Sequence, residues 1–134
     1  MKIVVYIVVS LIAISCLKKG ENGYYIRTTG RVEITHVVIP DTVTNNQYTE
    51  IMAWAEASNG CWSDLNFILT KTDDFEYSLE AYGIFESTGY CEDIIVLGDS
   101  TIVFKPTVAG KYLFKVTKSE TEIETDTMNV VGAI

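Results

Sequence analysis

The chain has 134 residues, of which 48% are hydrophobic, and it carries a formal net charge of −8. This length supports one domain with a sizeable core, and the hydrophobic content excludes a disordered polymer. The negative charge repels phosphate backbones, so we exclude nucleic-acid binding and expect the acidic surface to serve solubility.

The first 15 residues have the pattern of a secretory signal peptide. Lys2 is followed at residues 3–14 by the apolar run IVVYIVVSLIAI. A run of this length fits a signal-peptide hydrophobic region and falls short of the roughly 20 residues that span a bilayer. A buried core strand is the structural alternative, but an apolar run at the very start of the chain favours export.

The next feature is a cysteine at the end of the apolar run, in the residues AISC at 13–16. These residues resemble the lipobox of bacterial lipoproteins, in the relaxed form typical of Bacteroidetes-type bacteria. The resemblance implies that Cys16 is acylated, becomes the mature N-terminus and anchors the protein in the cell envelope, facing the periplasm or the outside. Two or three acyl chains suffice for stable anchoring. Ordinary signal-peptidase cleavage nearby and an uncleaved anchor are the alternatives.

Residues 16–30 contain three glycines and no clear hydrophobic period. Such a composition predicts a flexible tether between the lipid and the domain. The alternative is a partly ordered lead-in, in which Tyr24, Tyr25 and Ile26 pack on the domain.

From residue 31 to residue 134, short runs with a period of two alternate with turn residues, among them GDS at 98–100. This pattern predicts an all-β sandwich or barrel with no helix. About eight strands are expected, in the segments EITHVVI, YTEIMAWAEA, LNFILT, FEYSLEAYGIF, CEDIIVL, TIVFKP, KYLFKV and EIETDTMNVV.

The segment FKPTVAGKYLFKV at 104–116 resembles the approach to the penultimate strand of immunoglobulin-like and fibronectin-like domains. The resemblance implies an antiparallel immunoglobulin-like sandwich. It also implies a tyrosine corner, in which the Tyr112 hydroxyl bonds to nearby backbone. Phe114 stands where antibody domains have their second cysteine, so an antibody domain proper is not expected.

Cys61 and Cys91 each follow a turn and begin a predicted strand. If residues 63–86 run out and back as a hairpin, both cysteines return to the same end of the domain. Export permits oxidation, so we predict a Cys61–Cys91 disulfide. A redox or metal pair is the alternative, but the chain has no CxxC motif and only one histidine.

The loops around this pair are the predicted contact surface for an unidentified protein or glycan. Their candidate binding residues are Trp62, Asp64, Tyr90, Glu92 and Asp93. Exposed aromatic residues at loop tips are typical binding hot spots. The alternative is that Trp62 and Tyr90 pack over the disulfide.

Residues that could carry chemistry are sparse. The only histidine, His36, lies on a predicted strand, and no GxSxG motif or phosphate-binding glycine loop is present. The loop carboxylates are expected to be solvated turn acids, with a weak calcium site as the alternative; they are Asp73, Asp74, Glu92, Asp93 and Asp99. No catalytic residue, metal or cofactor is therefore predicted.

These observations predict a non-catalytic binding or assembly module, displayed from a cell-envelope membrane. One alternative is a proteinase-inhibitor-like immunoglobulin domain, which would require an extended, mobile loop. A small carbohydrate-binding module is another. A hydrolase would require carboxylates that converge in a pocket with shifted pKa values.

Overall fold

The computed structural model describes residues 23–134, which form an all-β fold. The predicted signal peptide and Cys16 lie outside the described residues. Within the described part of the chain, no helix has the length and apolar character needed to cross a membrane. The strands are β1 (Ile26–Val38), β2 (Thr42–Thr44), β3 (Thr49–Ala57), β4 (Trp62–Asp73), β5 (Glu76–Ser87), β6 (Val96–Phe104), β7 (Gly110–Thr117) and β8 (Ile123–Val131).

The strands form one curled sheet in the order β2-β8-β7-β5-β1-β3-β6, with β4 also paired to β5. Strand β1 connects the two parts of this sheet, since residues 26–32 pair with β5 and residues 33–38 pair with β3. A register shift between Ile34 and His36 follows the change of partner. Such an irregularity bends a strand and increases its local twist, which lets β1 serve both parts.

Two pairings are parallel, β2 with β8 and β5 with β7. The expectation of an antiparallel sheet is therefore wrong for these pairs, and the sheet is mixed. The partners on the two edges of β5 explain why β7 pairs with it. Strand β4 occupies one edge of β5 along residues 76–85, so β7 and β1 share the other edge, at residues 76–79 and 81–87.

The core lies inside the curl, where side chains of β3 and β6 meet those of β5, β7 and β8. One cluster is built largely from aliphatic and small residues, namely Val32, Ile34, Ala53, Ala55, Ala57, Leu79, Ala81 and Val116. The other contains the aromatic residues, and its members are Ile39, Ile51, Phe104, Tyr112, Phe114, Met128 and Val130. The predicted period of two is confirmed for β5, β6 and β7, where alternate residues face the core.

The loop before β7 contains the predicted tyrosine bond. The Tyr112 hydroxyl donates to the backbone carbonyl of Val108 over 2.9 Å, and Tyr112 is 3% exposed. Phe114 is fully buried two residues later. The hydrogen bond expected of a tyrosine corner is thus confirmed.

Several strands differ from the expectation. Strand β1 begins at Ile26, inside the predicted tether, because residues 26–32 pair with β5. The segments CEDIIVL and TIVFKP are not two strands: residues 91–95 precede β6, which then runs through the expected turn at 98–100. Strand β2 was not expected, and it forms through its pairing with β8.

Candidate functional site

The candidate site lies at the end of the domain where the chain enters β1 and where the disulfide is formed. Cys61 and Cys91 are joined, with their Cα atoms 5.2 Å apart. The predicted disulfide is confirmed. Two backbone hydrogen bonds hold the joined segments in place, from the Gly60 amide to the Glu92 carbonyl and from the Glu86 amide to the Cys61 carbonyl, both 2.9 Å.

Trp62, one of the candidate binding residues, packs against the sheet. Its indole lies over Gly30 and Gly83, which are opposite each other on β1 and β5. It also makes an edge-to-face contact with Phe85, with ring centroids 5.3 Å apart. Trp62 is therefore a half-buried wall of the site, placed on the paired strands, and it is not an exposed loop tip.

The other four candidate residues are exposed. Tyr90 is 77% exposed and lies beside Cys91, and Glu92 and Asp93 follow it. Asp64 has a left-handed backbone (φ 51°) at the register shift between Ser63 and Asn66. It lines none of the clefts at this end, so the structure does not bring it together with the others.

A cleft of about 560 Å³ opens beside Trp62. Asp93 and Ile95 reach it from the segment after the disulfide. Strands β1 and β3 contribute Glu33 and Glu56, which are opposite each other in register. Arg31 completes the charged lining. The cleft thus combines three carboxylates and one cation with an apolar wall.

Arg31 is already engaged by a neighbouring pair on β5. Its Nη2 donates to Glu80 Oε1 over 2.9 Å, and the Tyr82 hydroxyl donates to Glu80 Oε2 over 2.7 Å. Contact with Tyr82 and the charge of Glu80 raise the pKa of Arg31 above its usual value. Because this cation is already paired, the cleft presents mainly negative charge, which favours a basic or neutral polar group on a partner.

Arg31, Glu33 and Glu56 are not among the predicted site residues. The signal that points to Glu33 is alternation, since it lies between the buried Val32 and Ile34 on β1 and so faces outward. Its proximity to Glu56 depends on the β1–β3 register, and no local pattern in the sequence shows that register.

The remaining candidates for chemistry are scattered. His36 is on the exposed side of β1, with its ring 5.2 Å from that of Trp54. Asp73 and Asp74 are at the β4–β5 turn, and Asp99 is within β6 opposite Trp54. Among residues 23–134, no three His, Cys, Asp or Glu side chains are grouped closely enough to hold a metal ion.

This geometry can bind a partner through a rigid, charged cleft. The loop tips are fixed by the disulfide and by backbone hydrogen bonds, which is unlike the extended, mobile loop that a proteinase inhibitor presents. Comparisons of the chain with protein-family models, with curated proteins and with solved structures gave no match.

Proposed function

We propose that this chain is a non-catalytic binding or assembly module, anchored in a cell-envelope membrane by acylation of Cys16. The support for the anchor is the sequence: a signal-peptide pattern over residues 1–15 that ends in the lipobox-like AISC. The support for a binding role is the cleft at the disulfide end.

An immunoglobulin-like build is part of the proposal. It is supported by the Tyr112–Val108 hydrogen bond and by the way β1 passes from one part of the sheet to the other. The parallel pairing of β5 with β7 is a departure from the antiparallel arrangement of immunoglobulin sheets. We therefore propose a variant of the immunoglobulin-like build.

The observation that carries the binding role is that Asp93, close to the disulfide, lines the same cleft as Glu33 and Glu56. Asp93 follows the disulfide closely in sequence, whereas Glu33 and Glu56 come from the sheet. The disulfide holds the segment that carries Asp93 against the sheet that carries Glu33 and Glu56. The charge pattern is therefore in place before a partner binds. Preorganisation of this kind lowers the entropic cost of binding.

The anchor is tested by the mass of the N-terminal peptide from protein extracted from the membrane fraction. A mature chain that begins at an acylated Cys16 supports the proposal. An unmodified Cys16, or a chain that still begins at Met1, overturns it.

The contact surface is tested by chemical cross-linking in intact envelopes. We compare the unmodified chain with Glu33→Lys and with Asp74→Lys, a matched reversal at the opposite end of the domain. The cross-linked species should disappear with Glu33→Lys and persist with Asp74→Lys, and its mass distinguishes a protein from a glycan. Equal cross-linking in all three chains overturns the assignment of the cleft.

A further inference from the structure

The disulfide end also carries a set of exposed apolar and aromatic side chains that the cleft does not use. We define the apolar rim as Tyr24, Tyr25, Tyr90 and Ile94. All four are more than half exposed, at 60%, 55%, 77% and 53%. Water-exposed side chains of this size, gathered at one end, indicate a surface that contacts something.

Three of the rim residues lie beside the two segments that the disulfide joins. Tyr24 packs beside Gly89, with its Cδ1 3.7 Å from the position that a Cβ would take there, and Tyr90 is the next residue. Ile94 packs on Gly60 from the other side, with its Cγ1 3.2 Å from the corresponding Cβ position. The residues just before β1 and the two segments that the disulfide joins therefore all contribute to this surface.

The position of the proposed anchor indicates what covers the rim. Cys16 precedes Tyr24 by eight residues, a length of chain that spans at most about 28 Å. A lipid on Cys16 therefore keeps Tyr24, at the disulfide end, within about 28 Å of the bilayer surface. The opposite end, marked by Tyr48, lies one nine-residue strand away, or about 30 Å.

We infer that the apolar rim rests in the headgroup region of the bilayer. The disulfide end of the domain then faces the membrane, and a partner of the cleft binds next to the bilayer surface. This inference rests on the proposed acylation of Cys16. Tyrosine suits such a position because its ring is apolar and its hydroxyl stays hydrated, as in the aromatic belts of membrane proteins.

The charges near the rim specify the kind of lipid. Glu92 and Asp93 are exposed beside Tyr90, and the nearby Arg27 is paired with Glu86 over 3.4 Å. Among the described residues, this end therefore offers no excess of positive charge to anionic lipid. The contact is made with zwitterionic lipid through apolar and aromatic groups.

Hydroxyl-radical footprinting of the full chain, extracted from the membrane fraction and placed in phosphatidylcholine vesicles, tests the inference. Tyr90 and Tyr48 are matched in exposure, at 77% and 74%, and differ in which end of the domain they occupy. We expect Tyr90 to be modified several-fold more slowly than Tyr48, with Tyr24 and Tyr25 also protected. Equal modification of Tyr90 and Tyr48 overturns the inference.

Two controls exclude other sources of protection. The protection should be independent of the protein-to-lipid ratio, whereas protection that rises with surface density indicates contact between copies of the chain and overturns the inference. Ile94→Ser should reduce the protection of Tyr90, whereas Val108→Ser, at an exposed apolar residue of the opposite end, should not. An equal effect of the two variants on the protection of Tyr90 overturns the contact of the apolar rim with lipid.

Footprinting is read from a proteolytic digest, and that digest also contains the N-terminal peptide. The same experiment therefore separates this inference from the proposed function on which it rests. An acylated Cys16 without protection of Tyr90 overturns only the position of the rim. An unmodified Cys16 overturns both. Adding anionic lipid should weaken the protection, and stronger protection would show electrostatic attraction and contradict an apolar contact.

Discussion

The indole of Trp62 lies directly on the backbone of Gly30, so that a Cβ on Gly30 would come within 2.8 Å of the indole Cη2. Gly83, the β5 partner of Gly30, is equally restricted. A Cβ there would lie 2.6 Å from Leu65 Cδ2 and 3.1 Å from Trp62 Cε3. The wall of the cleft is therefore built on two positions that have no side chain.

Alanine at either of these glycines should destabilise the domain. Because Gly30→Ala and Gly83→Ala both insert a methyl group into occupied space, we expect each to lower the free energy of unfolding by about 1–3 kcal/mol. Urea unfolding measures the loss. Gly23→Ala is the control, since nothing lies within 4 Å of a Cβ there. An equal effect at Gly23 and Gly30 would contradict the contact with Trp62.

Removal of the disulfide should also lower stability. Cys61 and Cys91 are 30 residues apart, and the chain-entropy model assigns a loop of that length about 3–4 kcal/mol. We expect a loss of this size for the double variant Cys61→Ser/Cys91→Ser, measured by urea unfolding. Reductant should shift the unfolding midpoint of the unmodified chain and leave that of the double variant unchanged. A shift in both would point to another effect of the reductant.

The tyrosine-corner bond makes a separate contribution. Tyr112→Phe removes the hydroxyl that donates to the Val108 carbonyl and leaves the buried ring in place. The expected loss is about 0.5–1.5 kcal/mol, the usual net contribution of one hydrogen bond. Tyr48→Phe removes an exposed hydroxyl and should leave the unfolding midpoint unchanged. If both variants lose the same stability, the hydrogen bond is not the cause.

Glu76 should make stability depend on acid pH. Its Oε1 is 2.9 Å from Lys115 Nζ and accepts a bond from the Thr72 hydroxyl, and these contacts lower the pKa of Glu76. The charged form is favoured in the folded state. The stabilisation is therefore complete above the pKa of the unfolded chain and is lost as the pH falls through the lowered folded value.

Glu76→Gln should reduce this dependence, so that the free energy of unfolding falls less steeply below about pH 4, near the usual glutamate pKa. Urea unfolding at a series of pH values measures the slope. Glu50→Gln is the control, at an exposed carboxylate of β3 that makes no ion pair with the described residues. An unchanged slope in Glu76→Gln would show that the Lys115 contact does not operate in solution.

The strands with strict alternation were predictable from the sequence, and those that depend on distant contacts were not. On β7, alternation places Tyr112, Phe114 and Val116 inward, as the structure has them. Strand β6 continues through Gly98, where turn residues suggested a break. The side chain of Leu65 fills the space beside Gly98. Its Cβ lies 2.7 Å from the position that a Cβ would take at residue 98. This tertiary contact with β4 outweighs the local turn preference.

The candidate site was predictable only in part for a similar reason. The pairing of Cys61 with Cys91 follows from the cysteine count and the turns before each cysteine. The meeting of Glu33 with Glu56 follows from a register that shifts within β1, and the packing of Trp62 follows from two glycines on other strands. Local patterns report the elements that bear a site, whereas pairing between distant strands decides which side chains meet.

The pairing of the short strand β2 with β8 has a consequence for folding. Thr42 on β2 pairs with Asn129, and Arg27 on β1 pairs with Glu86. Both early strands therefore pair with residues far along the chain. Contacts of such long sequence separation must overcome a large loop-closure entropy and slow the search for the native state. We expect folding on the millisecond-to-second scale typical of all-β domains. The sheet cannot be completed until the last nine-residue strand is available.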